Sequence, residues 1–142
     1  MSRNQNPTTV EEAIDARVKL NVAALAAVKA FRRSKAWRGT FEERLAKFHA
    51  LNAGLCLAYG LGSGMVFEGE ENRNQMGDGC YDPRKDVIHL VGKLSVVTFL
   101  HCVARARGMT RQEAFRWSLS VFARMFPVSF ARCHSEGLFL IR

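Results

Sequence analysis

The chain has 142 residues, of which 48% are hydrophobic and 24% are charged. This length suits one domain with a substantial core, and the composition excludes a largely disordered chain. The net charge of +8 comes from 21 Lys and Arg against 13 Asp and Glu. Such a charge favours nucleic acid, anionic lipid or an acidic protein as partner, but this attraction does not depend on sequence and defines no function.

The cysteines and the apolar runs indicate the cellular compartment in which the chain is expected. Four cysteines occur without any Cys-x-x-Cys pair. No apolar run approaches the ~20 residues of a membrane span, and no signal-peptide core is found. We therefore predict reduced thiols, a cytoplasmic location and no membrane partner. Residues 1–8 are polar and aperiodic, which predicts a flexible N-terminus, and residues 9–142 are predicted to form a single domain.

Three Thr-x-x-Glu sequences predict helix starts, at Thr9, Thr40 and Thr110. In this capping box the threonine hydroxyl accepts from the amide of the third helical residue. The glutamate carboxylate accepts from the threonine amide in return. Apolar residues at steps of three and four then predict a first helix over 10–33 and a second over 41–59.

Residues 60–92 are rich in glycine and lack helical periodicity, which indicates strands and loops. Strands are predicted at 65–67 and 86–91, with a surface loop over 68–79. Asp82-Pro83 is a favourable turn opener, so the second strand is predicted to form an antiparallel hairpin with the residues before that turn.

Two more helices are predicted over 94–107 and 110–126, followed by a tail. The tail ends in the apolar sequence Gly-Leu-Phe-Leu-Ile, which we expect to dock on the core as a strand or extended arm. The predicted fold class is therefore α+β. It is a mainly helical single domain with a small antiparallel sheet beside the 94–107 helix.

The sequence FLHCVARARG, residues 99–108, carries the most specific chemistry. On a helix His101 and Arg105 share a face, because residues four apart are neighbours. This is the spacing of the two histidines in the zinc-binding sequence His-Glu-x-x-His. The residue after the first histidine, here Cys102, then points towards the metal-bound water.

The run 79–126, about a third of the chain, resembles small bacterial zincin-type metallopeptidases. In those proteins a β-strand leads into a helix bearing His-Glu-x-x-His, and a further acidic ligand often lies on the next helix. The resemblance implies a zincin-like domain in a family that uses zinc. It matches His101 to the first zinc ligand, Cys102 to the catalytic glutamate and Arg105 to the second ligand, with Glu113 as the candidate third ligand.

Two of the three essential residues of the family's His-Glu-x-x-His motif are replaced in this chain. Arginine stays protonated and offers only donors, so Arg105 cannot ligate a cation. Cys102 lacks the carboxylate that would take a proton from a metal-bound water. The expected function is that of a degenerate metallopeptidase-like protein without cofactor or peptidase activity. We expect it to be retained for binding or regulation, with an unidentified protein or peptide as partner. The second interpretation, a nucleic-acid-binding module, rests on a different part of the chain and is described below. The third interpretation is an unusual active zinc metallopeptidase.

A lone buried guanidinium is costly. We therefore predict that Arg105 forms an ion pair with Glu113 in the place of the metal. Cys102 and Arg105 both occupy positions that would line the ancestral cleft. For Cys102 itself, the favoured interpretation is a small buried hydrophobic group.

A basic cluster suggests the second function, a nucleic-acid-binding module. Arg32, Arg33, Lys35 and Arg38 surround Trp37 in the sequence. Cations with an exposed tryptophan can hold phosphates and stack a base. The other interpretation, which the sequence favours, is a solvated helix end with Trp37 folded onto the core.

Overall fold

A computed structural model of the protein describes residues 9–62, 65–71, 78–137 and 139. The predicted flexible segment 1–8 lies outside these residues. The described residues form six helices and three strands. In chain order they are α1 (Val10–Ala13), α2 (Val22–Arg33), α3 (Phe41–Tyr59), β1 (Val66–Glu70), β2 (Asp78–Asp82), β3 (Val87–Val91), α4 (Val96–Ala106), α5 (Arg111–Met125) and α6 (Pro127–Ser135).

Helix α3 has the predicted bounds, and local chemistry explains both of its ends. The Thr40 hydroxyl accepts from the Glu43 amide at 3.1 Å, and the Glu43 carboxylate accepts from the Thr40 amide at 3.0 Å. Gly60 ends the helix with φ 63°, a conformation that costs glycine little. Thr110 and Glu113 form the same capping box at the start of α5. Each such cap contributes about 1 kcal/mol.

The prediction of one helix over 10–33 is wrong. Helix α1 ends at Ala13, and a second helix begins only after Asn21, whose side-chain oxygen accepts from the Ala24 amide at 2.8 Å. Asparagine is among the best N-cap residues, so this position begins a new helix.

Hydrogen bonds from α5 hold the non-helical segment between α1 and α2. The Ser120 hydroxyl accepts from the Asp15 amide at 2.8 Å, and Arg124 donates to the carbonyls of Ala16 and Val18. Arg116 donates to the carbonyl of Glu12 at the end of α1, at 2.8 Å. These partners replace the bonds that a continuous helix would make, which is why the apolar periodicity alone gave the wrong result.

The sheet has the strand order β1-β3-β2. Strands β2 and β3 form the predicted antiparallel hairpin, with Asp82 opposite Val87. Strand β1 instead pairs with β3 in parallel, with Val66 beside Val87. The sheet is therefore mixed, and the prediction of an antiparallel sheet is wrong in this respect. The predicted loop 68–79 is also partly strand, since its first three residues extend β1 and its last two begin β2.

One aromatic cluster joins the helices to the sheet. Phe99 of α4 is fully buried, and its ring meets those of Phe48 and Phe67 edge-on at centroid distances of 5.8 and 5.4 Å. Phe31 of α2 packs edge-on against Phe48 at 5.0 Å. Edge-on contacts of this kind add to the stability from burial alone. Because α2, α3, α4 and β1 share this core, the described residues form one α+β domain.

Helix α4 lies between two partners, α5 on one side and strands β2 and β3 on the other. The approach of β2 is close, because a Cβ atom on Gly79 would lie 3.2 Å from the Thr98 side chain and 2.5 Å from Leu90. The predicted placement of the hairpin beside this helix is confirmed.

The tail contains a helix that the sequence did not predict. Pro127 stands in the first turn of α6, where its missing amide proton costs nothing. Beyond α6, the Phe139 ring lies 5.4 Å from that of Phe130 and 6.2 Å from that of Phe122. The rest of the apolar end predicted to dock as a strand or arm lies outside the described residues, apart from Gly137. None of the helices in the described ranges combines the length and the apolar composition needed to cross a membrane.

Candidate functional site

His101 is half-buried on α4, at the place predicted for a first metal ligand. Burial lowers the pKa of its imidazole, and the positive charges of Arg105 and Arg111 lower it further. The side chain is therefore neutral at pH 7. A neutral imidazole is the form that binds metal, so His101 itself retains the chemistry of a ligand.

Cys102 does not line an open cleft. Its side chain is 1% exposed and belongs to the main hydrophobic core. Burial raises the pKa of its thiol to about 12, with smaller contributions from Cys80 and Asp78 on β2. The thiol is therefore protonated at neutral pH and behaves as a small hydrophobic group. The prediction of a small buried hydrophobic group at this position is confirmed. The position does not line a cleft, because α4 turns it towards the sheet.

The Arg105 side chain is exposed and makes a hydrogen bond to the nearby backbone. Its Nη1 donates to the Met109 carbonyl at 2.9 Å, at the turn that joins α4 to α5. Glu113 meanwhile accepts from the Thr110 amide at 2.8 Å in its capping box. The predicted ion pair between Arg105 and Glu113 is wrong. Each group satisfies a nearby backbone atom, and an exposed guanidinium does not require a carboxylate partner.

The donor set around His101 does not fit zinc. A structural or catalytic zinc ion requires at least three protein ligands. Among the residues that the structure describes, no group of three His, Cys, Asp or Glu side chains is placed to hold a metal ion. Two other histidines are occupied elsewhere, because His89 pairs with Glu70 and His134 with Glu11, each at 3.0 Å.

The predicted basic cluster lies on the turn between α2 and α3, which we call the basic turn and define as residues 32–40. Trp37 at its centre is 56% exposed, so the prediction that this ring folds onto the core is wrong. The neighbouring Ala36 is buried instead, at 2%. Lys35 adopts a left-handed conformation with φ 54°, and the chain thus places Ala36 inward and Trp37 outward.

The arginines of the later helices differ from those of the basic turn, because several have internal partners. Arg107 stacks over the Tyr59 ring at 3.7 Å and lies 5.5 Å from the Trp117 ring. Arg116 donates to a carbonyl at the end of α1, and Arg124 donates to one in the segment between α1 and α2. Within the described ranges, no hydrogen bond or ion pair engages the side chains of the cations in the basic turn, which are Arg32, Arg33, Lys35 and Arg38.

A cavity of about 240 Å³ lies between α5 and residues 19–25, which lead into α2, and it was not predicted. Its apolar lining comes from both regions, and two cations flank it. The lining residues are Lys19, Leu20, Leu25, Val121, Arg124 and Met125. No sequence signal could have indicated this cavity, since its walls lie about 100 residues apart in the chain.

Comparisons of the chain with protein-family models, with curated proteins and with solved structures found no match.

Proposed function

We propose that the protein is a metallopeptidase-like protein whose metal-binding helix is degenerate, and that it acts by binding rather than by hydrolysis. The observation that carries this proposal is the condition of α4. A neutral, half-buried histidine remains at the first ligand position. The second ligand position holds an exposed arginine bonded to a carbonyl, and the position of the base holds a buried, protonated thiol.

The surroundings of α4 agree with the resemblance in the run 79–126. Strand β3 leads into α4, and α5 follows and packs against it. This is the order of elements expected from a zincin-like unit. This element order is one observation in support of the proposal, beside the condition of α4 itself.

The first test measures metal binding by the parent and by Arg105→His. The substitution changes an exposed side chain and places a second imidazole one turn from His101, without disturbing the core. We expect the parent to purify without zinc and to show no peptidase activity. We expect Arg105→His to bind zinc measurably more tightly in a competition titration with a coloured chelator.

A matched control comes from α3, where His49 and Ala53 are both exposed and four residues apart. Ala53→His thus creates a two-histidine pair on a helix with no proposed ancestry. The gain from Arg105→His should exceed the gain from this control, and adding His101→Ala should abolish it. Equal gains at the two helices would contradict a metal-binding ancestry. Stoichiometric zinc at His101 in the native protein would contradict the degenerate site.

A further inference from the structure

We propose that the basic turn, residues 32–40, binds single-stranded nucleic acid, with Trp37 as a stacking surface for a base and the surrounding cations as phosphate ligands. This site is separate from the α4 helix and does not depend on the function proposed for that helix.

Positive charge is concentrated around this turn. Residues 29–47 contain seven Lys and Arg against two Glu, which is +5 of the chain's net charge of +8. One of the two acids, Glu43, is held in the capping box of α3. The helix dipole favours Arg32 and Arg33 at the end of α2, but it does not account for the cations that follow or for the exposure of Trp37.

The turn holds Trp37 outward through a defined backbone. The Ser34 hydroxyl donates to the Phe31 carbonyl at 2.6 Å, and the Arg38 amide donates to the Lys35 carbonyl at 3.0 Å. Lys47 of α3 also reaches the Lys35 carbonyl, at 3.4 Å. A ring presented by a pre-ordered turn loses little conformational freedom when a base stacks on it.

The surroundings of Trp37 favour a polynucleotide over a membrane. Insertion into a bilayer needs an apolar face, whereas Trp37 is the one large apolar side chain among the exposed residues of the turn. The other exposed side chains of the turn are cationic or hydroxylated. The exposed Val22 lies at the far end of α2, about 18 Å away for a helix of 12 residues. One flat ring among separated cations matches alternating bases and phosphates.

A single strand is favoured over a duplex because the chemistry of the site requires an accessible base. Stacking on an aromatic ring needs an unpaired base, and this contact tolerates any sequence. Four cations on a single strand predict a slope of about −2.8 for log K against log salt. The affinity should therefore fall about 50-fold between roughly 50 and 200 mM salt.

The experiment uses the full chain with labelled oligothymidylate and oligouridylate of about 12 nucleotides, a length within known site sizes. Fluorescence anisotropy gives the affinity, and tryptophan quenching reports stacking. Trp117 is only 6% exposed, so quenching by bases reports Trp37. Comparing the two oligomers distinguishes DNA from RNA as the source of the strand.

Trp37→Ala should weaken binding about 5- to 160-fold at constant salt, remove the quenching and leave the salt slope unchanged. Trp37→Phe should recover most of the affinity, which separates stacking from a folding defect. Arg33→Ala/Arg38→Ala should reduce the slope to about −1.4. The matched control Arg84→Ala/Lys85→Ala removes the same charge from the exposed β2–β3 turn and should leave the slope near its original value.

Three results would overturn the proposal. In the first, Trp37→Ala binds as tightly as the parent, which would remove the stacking role. In the second, the two double variants lose equal affinity, which would mean that net charge alone attracts the strand. In the third, the protein binds anionic vesicles or duplex DNA more tightly than single strands. A loss of this proposal leaves the zinc titrations on α4 unaffected.

Discussion

The substitution Cys102→Glu restores the carboxylate that the resemblance places in this position, and the structure predicts that it destabilises the fold in a pH-dependent way. The environment of Cys102 raises a thiol pKa from 9.0 to about 12. That shift corresponds to about 4 kcal/mol against a negative charge at this site, at 1.36 kcal/mol per pKa unit. The longer side chain adds a packing cost of about 1–3 kcal/mol. Together these costs approach the whole stability of a typical domain, about 5–15 kcal/mol.

The pH dependence follows from the direction of the shift. The introduced carboxyl should have a folded pKa raised to roughly 7 from its unfolded value of about 4.3. Its charge penalty is then absent below about pH 4.3, grows as the pH rises through 7 and is complete near pH 8. Cys102→Gln is the matched control, because it has nearly the same volume and an uncharged amide.

Urea unfolding of both variants at pH 5 and pH 8 measures the effect. The Glu variant should be less stable than the Gln variant by roughly 4 kcal/mol at pH 8, and the difference should shrink to about 1 kcal/mol at pH 5. Equal stability of the two variants at both pH values would refute the reasoning. Such a result would mean that position 102 reaches solvent, as an open cleft requires.

Three further predictions concern the fold around the candidate sites. Phe99→Ala should lower the free energy of unfolding by about 3–5 kcal/mol, since a fully buried ring between helices and sheet is removed; a loss below 1 kcal/mol in urea unfolding would contradict this packing. Tyr81 donates to Asp86 at 2.6 Å, and this hydrogen bond raises the Tyr81 pKa to about 12. The stability that the bond contributes is therefore present below pH 10 and is lost between pH 10 and 12. Tyr81→Phe should cost about 1.5–3 kcal/mol at pH 7 and flatten that alkaline loss, as unfolding at several pH values will show. Burial and nearby arginines lower the pKa of His101, so the stability that the neutral imidazole contributes is present above pH 6.5 and is lost as the pH falls. In urea unfolding, the free energy of unfolding of His101→Gln should therefore fall less between pH 7.5 and 5.5 than that of the parent.

The sequence by itself determined those features that depend on bonds between near neighbours. The capping boxes at Thr40 and Thr110, the left-handed end at Gly60 and the turn of the hairpin at Asp82-Pro83 are each set by residues no more than five positions apart in the chain. The sequence also showed that residues 101–105 do not form an intact His-Glu-x-x-His zinc site, because no fold makes arginine a metal ligand.

Only the tertiary structure decided the features that depend on distant partners. The helix predicted over 10–33 is broken because α5, more than 100 residues later, supplies other bonds to the segment before Asn21. Strand β1 pairs in parallel with β3, with Val66 beside Val87, and no local sequence pattern encodes the partner or the direction of that pairing.

The environments of the candidate site residues were also decided by the tertiary structure. Adjacent positions on one helix have opposite environments, since Cys102 faces the sheet whereas His101 lies beside the arginines, and that difference arises from the elements packed against α4. The exposure of Trp37 was likewise decided by packing. The core accepts the small Ala36 at the end of α2 and leaves the large ring of Trp37 in water.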